Sequence, residues 1–230
     1  MKKMIYLWKQ RGTSHCSWWI IRHVFWWHHQ SFWELRVFDE ILLPENGKLQ
    51  KQIKHNQEIL HFVLYGTLEF HSWEQVTSVG AGDVHCLSSW FESEYFIKNA
   101  DSWQNLKYIE CVLSSKEKNI IPFQDKNAFW ISERRNNWHK QVENKEDVST
   151  VHVRQDVLIS RARIDSHTML PYRKTFDSSK IFFFLLTGNL EIAGSNLQDR
   201  DAIEIIWNED IIPIYWSELW WEIIAIELKI

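Results

Sequence analysis

Cysteine is sparse in this chain. Cys16, Cys86 and Cys111 are three, an odd count, widely spaced and without a Cys-x-x-Cys pair. A disulfide framework is not expected, and a reducing, cytoplasmic setting fits better. Long apolar runs are missing too. No stretch approaches the length of a membrane span. The start has two lysines but turns polar at Lys9, so it lacks the continuous apolar core of a signal peptide. Basic excess is also absent. The net charge is -4 and the pI about 6.3, which supplies no drive towards nucleic acid or an anionic membrane. The nucleophile and phosphate motifs G-x-S-x-G, Walker A and H-E-x-x-H do not occur. Segments with helical period and capping are few, so helix is expected to be minor.

What is present is apolar and aromatic. Hydrophobic residues make up 45% of 230 residues, enough for a substantial core, and 15 of them are Trp against only 7 Gly. Short β-branched and aromatic runs recur near every ten residues. Ile59 to Tyr65 ends at Gly66, and Leu68 to His71 follows at once, which reads as two strands and a tight turn. Leu35 to Phe38, Trp73 to Val79, Val84 to Leu87, Glu94 to Ile97 and Leu106 to Leu113 continue the pattern. Residues 114–150 are polar and charged. From Val151 the strands resume, with Val157 to Ile164, Lys180 to Leu186, Ala202 to Ile206 and a closing run from Trp220 to Leu228. The spacing predicts an all-β sandwich or barrel.

The second half echoes the first. Phe62 to Glu69 and Phe184 to Glu191 share a strand, an x-Gly-x-Leu-Glu turn and a second strand. Asp83 and Asp201 each sit in an acidic turn before the next strand. A duplicated unit explains this. The division expected is 1–125, a polar connector 126–150, and 151–230.

At this point the chain resembles the pirin family, whose members are two tandem cupin (jelly-roll) β-barrels. Arg11-Gly12, then Trp18, His23 and Phe25, fall on family positions. Phe32 to Val37 resembles F-x-x-L-R-V. Glu58 to Gly66 resembles E-I-[VL]-T-Y-V-L-E-G without a gap. Ser93-Glu94-Tyr95 matches S-E-[YF], and Gln155-Asp156 with Leu185 to Glu191 match the second barrel. The resemblance implies two cupin barrels, 1–125 and 151–230. It also implies, for metal-binding members, iron, nickel or copper held by four side chains of the first barrel.

Registered onto this chain, those four positions are Gln52, Lys54, Glu92 and Glu94, and only Glu94 keeps its type. An ammonium has three donors and no acceptor. Lys54 is therefore expected to replace the metal cation, buried and salt-bridged to Glu92 and Glu94. A metal-free pocket for a polar ligand is the other reading of the same three residues. His55 and His61 lie on the opposite strand parity from Gln52 and Lys54. They are expected to face away from the old site, with a relocated metal site as the alternative. His23 reads as a hydrogen-bonded structural histidine. The Trp-rich segment 18–33 reads as packing or as a binding face.

The functional expectation is a pirin-like bicupin with a degenerate metal site and no expected cofactor. It is a non-enzymatic binder of a small molecule or a protein, with no nucleic acid or membrane partner. The alternative is a quercetin 2,3-dioxygenase-type oxygenase with an altered ligand set, because that chemistry needs a redox metal.

Overall fold

The computed structural model describes residues 2–25, 32–72, 75–115, 121–166, 168–216 and 220–230. Among them are 23 strands and two short 3-10 helices, Trp8–Gln10 and Ile131–Arg134. The chain is all-β, as its spacing predicts. No helix of the described residues is long and apolar enough to cross a membrane.

The chain divides into two compact units, and their limits differ from the expected ones. The N-terminal unit comprises Arg11–Phe129 and Lys145–Gln155, and the C-terminal unit comprises Met1–Gln10, Trp130–Asn144 and Asp156–Ile230. Backbone pairing explains the difference. Lys2–Tyr6 joins the C-terminal unit by pairing antiparallel with Ala202–Ile206. His139–Glu143 pairs with Val157–Ile164. The charged stretch read as a connector is thus shared between the two units. Residues 145–155 are held in the N-terminal unit, where the buried Glu58 carboxylate accepts from the Arg154 and Gln155 amides at 2.8 and 3.0 Å.

Each unit is a jelly-roll sandwich of separate sheets, not a closed barrel. In the N-terminal unit a seven-stranded sheet runs Phe123–Asn127, Val84–Ser89, Gln57–Tyr65, Leu106–Ser114, Leu35–Leu43, Trp19–His23, Gly12–Cys16. A four-stranded sheet runs Lys48–Ile53, Ser93–Asn99, Leu68–Ser72, Gln75–Val79. Alternate residues of both fill the space between. Ile41, Ile59, Val63 and Tyr108 come from the first sheet, and Leu49, Ile53, Phe70 and Ile97 from the second. The C-terminal unit repeats the plan. Its main sheet orders Lys2–Tyr6, Ala202–Ile206, Ser179–Thr187, Trp221–Lys229, Val157–Ile164 and His139–Glu143. Ile181, Phe183, Ile192, Leu197, Trp221 and Ile223 form its core.

The echoed turns are real equivalents. Gly66 and Gly188 have φ of 81° and 97°, left-handed values that L side chains rarely adopt. A Cβ on Gly66 would lie 2.8 Å from the Asn105 carbonyl, and one on Gly188 2.6 Å from Trp221 Cβ. Cys16, Cys86 and Cys111 are all free thiols.

Candidate functional site

Strand period decides which side chains enter the N-terminal sandwich. On Lys48–Ile53, Leu49 and Ile53 face the core, so Lys51 between them faces the same way. On Leu106–Ser114, Tyr108 and Val112 face inward, and so does Glu110. The Lys51 ammonium ion-pairs with the Glu110 carboxylate, which is 1% exposed. Tyr95 Oη donates to the other Glu110 oxygen at 3.2 Å. His61 Nε2 lies 3.5 Å from that oxygen.

The network continues across the sheet. His61 Nδ1 and His85 Nδ1 are 3.2 Å apart, so one donates and the other accepts. His85 Nε2 lies 3.3 Å from Gln124 Oε1, which also accepts from Thr77 Oγ1 at 3.2 Å. Burial opposes the charge on Glu110, but Lys51, with His61, outweighs it and holds the carboxyl well below its usual range. Burial pushes His61 down, against the pull of Glu110. It also pushes His85 down to about 3, aided by His61. The histidine pair is therefore neutral at pH 7, and within this network the compensated ion pair among the described residues is Lys51 with Glu110.

A second polar row lies on the same face of the sheet. Directly opposed residues share a face, and His23 is opposite Asp39 on one side and Gly12 on the other. His23 Nδ1 lies 2.9 Å from Asp39 Oδ1, and Ser14 Oγ lies 3.0 Å from His23 Nε2. Asp39 is 5% exposed, and burial raises its pKa despite the hydrogen bond from His23.

Both groups border one cavity of about 590 Å³. Ile21, Val37, Ile59 and Val112 supply apolar wall, and His23, Asp39, Lys51 and Glu110 supply polar wall. Gln52 and Lys54 also line it. Mostly apolar walls with a few convergent polar groups are the usual make-up of a small-molecule site.

The four expected positions stand as follows. Gln52 pairs directly opposite Glu94, and Ile53 opposite Ser93, so the strands that carry the four positions are neighbours. Gln52, Lys54, Glu92 and Glu94 are nevertheless all exposed. Glu94 accepts from Gln50 Nε2 at 2.9 Å. Lys54 forms no ion pair with Glu92 or Glu94 among the described residues. The expected buried cluster around Lys54 is therefore absent: Lys54 lies just past the strand Lys48–Ile53, exposed where it borders the cavity. The lysine that meets a buried carboxylate is Lys51. His55 is exposed, with Nδ1 2.9 Å from the Trp90 carbonyl. His61, expected to face away, instead points into the sandwich and is fully buried. Its parity is that of Ile59 and Val63. His23 is hydrogen-bonded as expected. In the aromatic segment, Trp18 and Trp33 are exposed and Phe32 is buried, while residues 26–31 lie outside the described residues. Among the described residues no group of three or more His, Cys, Asp or Glu is arranged to hold a metal ion.

Lys51, Glu110 and Tyr95 were not singled out from sequence. A signal existed. Leu49 and Ile53 are the apolar alternates of their strand and mark Lys51 as inward. Tyr108 and Val112 mark Glu110 in the same way.

Comparison with known proteins places this geometry. Residues 142–228 match the family model of the quercetinase C-terminal cupin domain. No curated protein sequence matches the chain. Among solved structures, YhhW from Escherichia coli is similar over 99% of this chain and 97% of its own, at 20% identity and TM-score 0.88. A second structure, described as bacterial pirin YhhW in complex with nickel(II), is similar to the same degree, with TM-score 0.88 and 20% identity. A quercetin 2,3-dioxygenase from Acinetobacter baumannii aligns over 99% of this chain and 78% of its own, at 8% identity and TM-score 0.77.

Proposed function

Taking as premise that the chain is a protein of the pirin family, we propose that it binds a small molecule in the N-terminal cavity without a metal. One observation carries this reading. A lysine paired with a buried glutamate stands at the cavity wall, where a metal site would require neutral imidazoles and free carboxylates. The residues present do not fit a redox metal. The four positions implied by the resemblance are an amide, an ammonium and two carboxylates, all exposed. Glu110 is already engaged by Lys51 and Tyr95.

The ligand chemistry follows from the walls. Ile21, Val37, Ile59 and Val112 favour a flat apolar body. Lys54 favours an acidic group, such as a carboxylate or an acidic phenol. The test is titration of the purified protein with quercetin and with aromatic carboxylates, followed by calorimetry. Saturable binding is expected, weakened about tenfold or more by Lys54→Ala, the loss of one charge-assisted hydrogen bond of ~1.5–3 kcal/mol. Absence of saturable binding by either class would overturn the reading.

A second reading draws support from the nickel complex of YhhW and from the dioxygenase likeness. In it the chain is an oxygenase with an altered ligand set. Metal analysis of protein purified without added metal separates the two. A near-equimolar transition metal, with oxygen uptake on quercetin that scales with protein, would favour the oxygenase.

A further inference from the structure

The row Ser14, His23, Asp39 does more than satisfy hydrogen bonds. Three neighbouring strands place the three side chains on one face of the sheet, in the order hydroxyl, imidazole, carboxylate. Each imidazole nitrogen has one partner of the kind a nucleophilic serine requires. Nδ1 is 2.9 Å from Asp39 Oδ1, and Nε2 is 3.0 Å from Ser14 Oγ. An ionised Asp39 can only accept, so Nδ1 carries the hydrogen and Nε2 is left as the acceptor for the Ser14 hydroxyl. Asp39 is nearly buried, Ser14 is half-buried, and His23 and Asp39 line the 590 Å³ cavity. The constellation is recognised by these roles, not by chain order.

We propose that Ser14 is a nucleophile activated by His23 and oriented through Asp39, acting on small carboxylic esters whose acyl part fits the apolar cavity wall. Ser14 Oγ bonds to the ester carbonyl carbon as its proton passes to His23 Nε2. The carbonyl electron pair moves to oxygen and then returns, expelling the alkoxide. His23 protonates that leaving group, which departs as an alcohol. Water then attacks the acyl-Ser14 ester with His23 again as base, releasing the carboxylic acid and restoring the serine.

Magnitudes select the readout. A positioned general base contributes about 10²–10⁴ in rate. Each preorganised oxyanion donor adds about 10²–10³. Of the cations on the cavity wall, Arg36 and Lys51 already bond to Ser114 and Glu110, and Lys54 is exposed. They supply only part of that second factor. Turnover is therefore slow, and covalent capture of the serine is the sensitive measurement.

The full chain is treated with a fluorophosphonate probe and digested, and the adduct is located by mass spectrometry. One adduct at Ser14 is expected. It is lost in Ser14→Ala, and its rate of formation falls about 10²–10⁴-fold in His23→Gln. Asp39→Asn is expected to lower the maximal labelling rate while leaving the half-saturating probe concentration unchanged, as befits a positioning residue. The wild-type result stands without any variant. No adduct at Ser14, or labelling no faster than in urea-unfolded protein, would overturn the proposal. An equal rate in folded His23→Gln would overturn it as well. Ligand titrations of the same cavity are read independently, so loss of this activity leaves the binding proposal to its own test.

Discussion

Each unit buries one glutamate on the inward face of its central strand, and the two are used in opposite ways. Glu227 is closed off by the chain around it. It accepts from the Thr175 and Phe176 amides at 3.0 Å, from Ser179 Oγ at 2.8 Å and from Tyr172 Oη at 3.0 Å. Four short contacts pin one loop and leave no direction for a ligand. The Glu110 carboxylate takes no backbone donor among the described residues; its partners are side chains, and its charge is matched by a lysine at a cavity wall. The same fold thus holds a carboxylate once as a structural staple and once as part of a site. What separates them is the source of the donors.

The largest expected effect comes from breaking that match. Lys51→Met leaves Glu110 buried and uncompensated. It should destabilise the N-terminal unit by roughly 3–5 kcal/mol in urea unfolding, with Lys51→Met/Glu110→Gln recovering much of the loss. If the single variant costs under about 1 kcal/mol, the pair is not a buried compensated charge.

Acid should separate the units next. His85 has a folded pKa of about 3, below its unfolded value near 6.5. The unfolded state binds its proton first, so stability is lost as pH falls through that window, at up to about 1.4 kcal/mol per pH unit. Glu110 is also depressed, so its contribution is present above about 4.3 and fades as pH falls further, in the same direction. Among the described residues, no histidine of the C-terminal unit is buried. Hydrogen exchange between pH 7 and 4 should show protection falling first in the strands Gln57–Tyr65 and Val84–Ser89. Simultaneous loss in both units would contradict this.

The equivalent turns should respond alike and less strongly. Gly66→Ala and Gly188→Ala each impose a left-handed backbone on a residue with a Cβ and crowd a neighbour, costing about 1–3 kcal/mol. A neutral outcome at one turn only would end their equivalence. Smallest of all, Gln52→Ala, Lys54→Ala, Glu92→Ala and Glu94→Ala at exposed positions should each stay within about 0.5 kcal/mol of the parent.

The all-β class and the echoed turns were legible because they rest on local signals. Apolar alternation and a glycine needing positive φ are written in neighbouring residues. The site was legible only in part. The resemblance grouped Gln52 and Glu94 in one inward pocket; the two pair across neighbouring strands, but here both are exposed. Leu49, Lys51 and Ile53 state the facing correctly from their own period. Of the Ser14–His23–Asp39 row only His23 was legible, as a hydrogen-bonded histidine without its partners. The row spans three strands whose pairing depends on the whole sheet, and no short motif encodes that.

The strand Lys2–Tyr6 carries a consequence for the order of assembly. Its partner Ala202–Ile206 is made about two hundred residues after it. At ordinary rates of synthesis that is a wait of roughly 10–40 s. In that interval every residue of the N-terminal unit has left the ribosome, and Met4 and Ile5 have no sheet to join. The two lysines flanking them guard an unpaired edge against other nascent chains. A chain of this design closes like a clasp, the strand Lys2–Tyr6 fastened by one made long after it.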